Sequence, residues 1–197
     1  MYLIWILKKI GKCSFYFVSE KMGGGILHLP EEFLCNLAKS YLPREDLVNL
    51  CDSSSHFDFL RLYVPDILEL KGEPFTVKGL NYSKEHQIYF LSPVIDNQRV
   101  RRITMSYRWK QGWGNSKGML WMDVVRNGVT IASSYRDFFD CAPQEWETEE
   151  AVISSHVVDK IRKGDVLQFM RYVGCGLGRR GALSVEDFSS RIELLKF

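Results

Sequence analysis

The residues able to do chemistry are scattered along the chain. The four histidines, His28, His56, His86 and His156, stand in separate segments, and none belongs to an HExxH pair, a GxSxG elbow or a Cys-His couple. The five cysteines (Cys13, Cys35, Cys51, Cys141, Cys175) are odd in number, widely spread and free of any CxxC, which is neither a disulfide framework nor a zinc site. A reducing compartment, cytoplasmic or nuclear, is the simpler reading. Carboxylates gather between Asp137 and Glu150, at Asp137, Asp140, Glu145, Glu147, Glu149 and Glu150. Such oxygen donors suit calcium, but the spacing is not that of an EF-hand, and a run of carboxylates also makes a solvated face. No metal, cofactor or catalytic residue is therefore assigned, and a pair of carboxylates converging in space is the one hydrolytic arrangement left open. The segment 176–181, Gly-Leu-Gly-Arg-Arg-Gly, spells GxGxxG. Strands flank it where the dinucleotide fingerprint needs a strand and then a helix, so it reads as a hairpin loop.

Groups suited to recognition are better represented. Three of the five tryptophans lie between Val100 and Trp121. Ile103, Met105, Tyr107 and Trp109 alternate there with Arg102, Thr104, Ser106 and Arg108, the period-2 pattern of a half-buried strand. The alternation stops at Lys110, and Gln111 to Gly118 then carries Trp113, Asn115 and Lys117 among three glycines. Trp109 is expected in the core, and Trp121, in the next strand, is expected to pack against its neighbours through adjacent strand pairing. Trp113 either plugs one end of the fold or offers a flat platform to a sugar or peptide. Tyr135 and Trp146 form a second aromatic group with Phe138 and Phe139, and Arg179 and Arg180 can grip acidic groups bidentately. Trp113, Asn115, Lys117, Tyr135, Trp146, Arg179 and Arg180 are the candidate ligand-binding residues. A net charge of +2 is too balanced for nucleic acid as the main partner.

The elements that position these groups differ along the chain. The 197 residues, 46% hydrophobic and 25% charged, suit one sizeable domain or two small ones. Residues 1–21 are apolar until Lys8, Lys9 and Lys12 interrupt them. That run is too short to span a membrane and has its lysines on the wrong side for a secretory signal, so it reads as a leader or optional extension. Residues 22–62 read as helices: Pro30 suits a first turn, Glu31 and Glu32 its dipole, Phe33, Leu34 and Leu37 an apolar stripe, and a second helix follows Pro43. From Tyr63 onward short strands are expected at Ile67–Leu70, Phe75–Leu80, Ile88–Leu91, Val100–Trp109, Leu120–Val125, Val129–Ala132, Ala151–Ser154, Val166–Val173 and Phe188–Leu194. Asn127-Gly128 is a type I′ hairpin signal, and Lys163-Gly164-Asp165 marks another turn. The last segment also fits a helix through Val185, Phe188, Ile192 and Leu195, but Phe188, Ile192 and Leu194 alternate with polar residues and favour a strand. The fold class expected is mainly β: a small N-terminal helical segment followed by an antiparallel, jelly-roll-like β-sandwich over residues 63–197.

The run LPEEFLCNLAKSYLPREDLVNLC, Leu29 to Cys51, resembles the opening of an F-box: a Leu-Pro start, an apolar helix ending at a Tyr-Leu-Pro corner, and an Asp-Leu pair early in the next helix. The family usually continues with Val-Cys and a nearby Trp, where this chain has Cys51 and then Phe57. The resemblance implies docking on a Skp-type adaptor of a cullin-RING ubiquitin ligase through Leu29, Pro30, Leu42, Pro43, Asp46 and Leu47. A helical start leading through YVPDIL (Tyr63–Leu68) into a sandwich is similar in layout to the F-box-associated proteins, whose second domain is a galactose-binding-like jelly roll. That layout implies a substrate-recognition subunit whose sandwich loops hold a target protein, glycosylated or not, with no membrane or nucleic-acid partner. A generic helical pair remains an equal reading of residues 22–62. A carbohydrate- or peptide-binding sandwich without ligase role is the main alternative function, and a small hydrolase is a second.

Overall fold

The structure, a computed structural model, describes residues 31–40, 42–53, 55–79, 86–96, 99–112, 116–135, 142–175 and 181–195. The chain divides into two compact units between Pro65 and Asp66, three residues beyond the boundary expected at Tyr63. Leu29, Pro30, Trp113, Asn115, Arg179 and Arg180 lie outside the described residues, as does the side chain of Lys117.

The first unit is helical. Helix α1 (Glu31–Ser40) turns its Leu34 and Ala38 inward, and the chain breaks before Pro43, whose ring disfavours helical backbone at the preceding residue. Helix α2 (Arg44–Ser53) begins with Glu45 and Asp46 at its positive end and buries Leu47, Leu50 and Cys51. A 3₁₀ helix (Ser55–Tyr63) closes the unit with Phe57 and Leu60. Together with Leu42 these side chains make one separate core. The Cys51 thiol donates to the Phe57 carbonyl at 3.5 Å, and Arg44 Nε donates to the Pro65 carbonyl at 3.1 Å, which ties the end of the unit to its second helix.

The second unit is an antiparallel jelly-roll β-sandwich. Its strands are β1 (Asp66–Lys71), β2 (Phe75–Gly79), β3 (Gln87–Leu91), β4 (Arg99–Gln111), β5 (Ser116–Arg126), β6 (Val129–Ser133), β7 (Glu147–Val152), β8 (Val166–Cys175) and β9 (Gly181–Leu195). One sheet runs β1-β9-β4-β7, with β2 following β1 along the same edge of β9, and the other runs β3-β8-β5-β6. From β2 to β9 the chain crosses between sheets at every step except β5 to β6, the wrapping of a jelly roll. Its inner faces meet in a core of Ile103, Met105, Tyr107 and Trp109 from β4, Leu120, Met122 and Val124 from β5, Leu167, Phe169 and Val173 from β8, and Leu183, Val185, Phe188 and Ile192 from β9. Phe90 stacks on Phe169 with centroids 4.3 Å apart, and Phe188 stands edge-on to both, so aromatic rings bridge the two sheets.

Four sequence expectations change here. β4 and β5 lie in different sheets, so the two strands of Val100 to Trp121 do not pair with each other, and Trp121 packs instead on β8 and the rings outside its own sheet. For the same reason residues 176–180 link β8 to β9 across sheets instead of closing a hairpin. β9 starts at Gly181, seven residues before the expected start at Phe188. Its alternation is broken at Asp187, whose φ of 52° accompanies a register shift against β4. The extra residue keeps both Val185 and Phe188 inward, and this spacing of three is what made the segment look helical. β7 likewise begins at Glu147, ahead of the expected Ala151, because an edge strand with one exposed side carries charge and hides its pattern.

The turn chemistry follows expectation. Asn127 (φ 50°) and Gly128 (φ 78°) form the two-residue connection between paired Arg126 and Val129. Arg126, the last residue of β5, reaches to Asp165 with a bidentate pair at 2.7 and 2.9 Å, tying the end of β5 to the residue before β8. Among the described residues no helix is long and apolar enough to cross a membrane.

Candidate functional site

In a sandwich the outer face of each sheet meets water and is normally polar. β5 departs from this. Leu120, Met122 and Val124 point into the core, so Trp121 and Asp123 point out, yet Trp121 is only 2% exposed and belongs to no part of the inter-sheet core. Its burial comes from a layer of rings on the outside of the sheet.

The strand register assembles that layer. Trp121 pairs with Met170 of β8, which pairs with Ile88 of β3, and one row along, Met119 pairs with Tyr172. His86 immediately precedes β3 and lies among three rings: its centroid is 4.9 Å from Trp121, 5.8 Å from Tyr135 and 5.5 Å from Tyr172. Trp121 and Tyr135 also meet edge-on at 5.1 Å. Tyr172 lies along its own strand over Gly174, where a Cβ would come within 2.7 Å of the tyrosine oxygen. Only glycine leaves that space.

Asp123 gives the aromatic face its charge. Ser133, its partner on β6, donates its hydroxyl to the carboxylate, and the Tyr135 amide donates to the same Ser133 oxygen at 3.2 Å. One short relay thus orients both the acid and the ring beside it. Burial pushes the Asp123 carboxyl above its ordinary value, while hydrogen bonds from the Ser133 and Trp121 side chains and the charge of His86 pull the other way without cancelling it. Ser134, wholly buried, exchanges bonds with the Met122 backbone and pins the end of β6 under Tyr135. Around the rings Ile88, Leu91 and Ile131 are exposed, with Ile88 at 52%. The arrangement can bind through ring faces, an apolar rim and one oriented carboxylate.

The residues expected from sequence fall unevenly. Tyr135 joins this face. Trp146 lies elsewhere, with Lys110 and Arg108 over its ring at 4.7 and 5.2 Å on the other sheet's strand β4. Leu42 and Leu47, expected at an adaptor surface, are 4% and 0% exposed and form the core of the helical unit. Pro43 and Asp46 are half-buried, and Glu45 and Asn49 of α2 are exposed. Among the described residues no group of three His, Cys, Asp or Glu is placed to hold a metal ion. His86, Trp121, Asp123 and Tyr172 were missed. Trp121 sits in an unbroken apolar run, Met119 to Met122, in which apolar residues occupy both faces, and that run is the available signal of a covered outer face.

A scan against protein families finds no match, and no curated protein matches the chain. Among solved structures, dimeric latent PorU from Porphyromonas gingivalis is similar in part, at 13% identity and a TM-score of 0.28, covering 66% of this chain and 12% of that one. The chain thus spans about an eighth of that protein's length, and a likeness this slight carries no argument.

Proposed function

We propose that the protein is a non-catalytic receptor in two parts: the helical unit docks on a Skp-type adaptor of a cullin-RING ubiquitin ligase, in the cytoplasm or nucleus, and the sandwich holds a target protein. The observation that carries the reading is the aromatic outer face of β3-β8-β5-β6, which a solvated sheet has no need of and a binding surface does. A helical unit with a core of its own, beginning with an F-box-like sequence, supports the adaptor half. The receptor needs no covalent chemistry, since holding a target beside a recruited enzyme raises its effective concentration there. In this reading Leu42 and Leu47 hold the helices in position from within, while Pro43, Asp46 and the exposed side of α2 meet the adaptor.

Affinity purification of the tagged full chain from cells tests this. The wild type is expected to retain adaptor and cullin, and Asp46→Lys with Asn49→Lys to lose them without loss of folded protein. Absence of both partners from the wild-type eluate overturns the ligase half. The second reading, a carbohydrate- or peptide-binding sandwich with no ligase role, is favoured by the burial of Leu42 and Leu47, which leaves few apolar side chains free for docking.

A further inference from the structure

Three rings outside β3-β8-β5-β6 meet at a single imidazole, which is itself exposed to solvent. Trp121 comes from β5, Tyr172 from β8 and Tyr135 from beyond β6, and each contacts His86 within 5.8 Å between centroids. Ring faces carry the negative lobes of their quadrupoles, and Asp123 adds a carboxylate two residues along the strand from Trp121. A cluster of rings beside a carboxylate favours a cation over a neutral group of the same shape. His86 is the chain's own occupant, and the ladder pairing of β3 with β8 begins only at the following residue, Gln87. Its release therefore breaks ring contacts and no strand pairing. The exposed Ile88, Leu91 and Ile131 on the same sheet give an apolar border that a polypeptide can cover and a free small cation cannot.

We infer that the box formed by Trp121, Tyr135, Tyr172 and Asp123 recognises a cationic side chain of a partner protein, an arginine or a methylated lysine, and that His86 is an internal stand-in which the incoming side chain displaces. This inference rests on the reading that the sandwich holds a protein target. In that role His86 occupies the box in the absence of a target, covers Trp121 and lowers the affinity for isolated cations.

The test uses the full chain, wild type and His86→Ala, titrated with three blocked amino acids: trimethyllysine, arginine, and the neutral analogue of trimethyllysine with a tert-butyl end. Binding is read from the indole N–H resonance of Trp121. His86→Ala is expected to bind one of the cations about tenfold more tightly than the wild type does, and about tenfold more tightly than it binds the neutral analogue. Adding Asp123→Asn is expected to remove most of that preference. Equal binding of the neutral analogue, or no cation binding by a His86→Ala protein whose circular dichroism matches the wild type, overturns the inference. The wild type supplies an independent measurement, because saturating cation must shift the His86 ring resonances, and unmoved resonances overturn the displacement. Adaptor capture is scored separately. Its loss with cation binding retained overturns the ligase reading alone, and the reverse result overturns only the box.

Discussion

On the outside of the β1-β9-β4-β7 sheet, Arg102, Thr104, Ser106 and Arg108 of β4 face Glu193, Arg191, Ser189 and Glu186 of β9, charged and hydroxyl side chains of which Glu193 alone is buried. On the outside of β3-β8-β5-β6 the comparable rows hold Ile88, Met170 and Trp121, then Tyr172 and Met119. The inner faces of the two sheets share one core, so the demand of folding is met equally on both sides. What differs is the demand made by the outside. A charged face suits solvent and little else, whereas a ring-covered face with one oriented carboxylate is stable in water only because its own residues cover Trp121. The comparison teaches that burial alone does not mark the core here, since Trp121 is as buried as Trp109 and serves the opposite side of its sheet.

The largest expected effect separates the two faces directly. Trp121→Ala removes a fully covered ring and is expected to cost about 3–5 kcal/mol in denaturant unfolding, as a core aromatic does. Thr104→Ala, at an outward position of β4, is expected to change stability by less than about 0.5 kcal/mol. Similar costs for the two would erase the distinction. Next in size, Gly174→Ala forces the Tyr172 ring off its strand and is expected to cost about 1–3 kcal/mol. The same variant is expected to shift the ring resonances of His86, and a Tyr172 ring that stays in place by NMR would contradict the packing described.

A pH titration sharpens the comparison between two acids. The Asp123 carboxyl is raised by burial, so its contribution to stability is fully present below the unfolded value of about 4 and is lost as pH rises through the folded value. Asp123→Asn is therefore expected to flatten that fall above pH ~4 in the difference between variant and wild type. Burial also pushes the Asp165 carboxyl up, but the hydrogen bonds from the Arg126 side chain and the Arg162 amide outweigh it and hold the value below normal. Asp165 thus contributes stability above the unfolded value and loses it as pH falls through the folded one, so Asp165→Asn is expected to lower the melting temperature at pH 7 and to lessen the acid-side loss. Parallel profiles for the two variants would mean that the environments assigned to the acids are wrong. Smallest of all, Arg108→Ala is expected to lie within about 0.5 kcal/mol of wild type, because its pair with Glu186 is open to solvent on both sides.

Local pattern was enough for much of the fold. The alternation from Ile103 to Trp109, the Asn127-Gly128 turn and the proline break between two amphipathic helices each depend on neighbours within a few residues, and each is found in the structure. Where the pattern failed, a long-range constraint had replaced the local one. Asp187 shifts the phase of β9 because β4 fixes where Val185 and Phe188 must point. β7 reads as charge because it is an edge. Tyr135 could be picked from sequence as an aromatic beside a loop, but its company could not. His86, Trp121 and Tyr172 are separated by 35 and 51 residues along the chain (from 86 to 121 and from 121 to 172), and only the register of β3 on β8 and of β8 on β5 brings them to one face. The sequence by itself determined the strand and helix periods and the turn types, because backbone geometry and side-chain alternation are local properties. The tertiary structure alone decided which sheet each strand joins, and with it which side of β5 faces the core and which side gathers the rings.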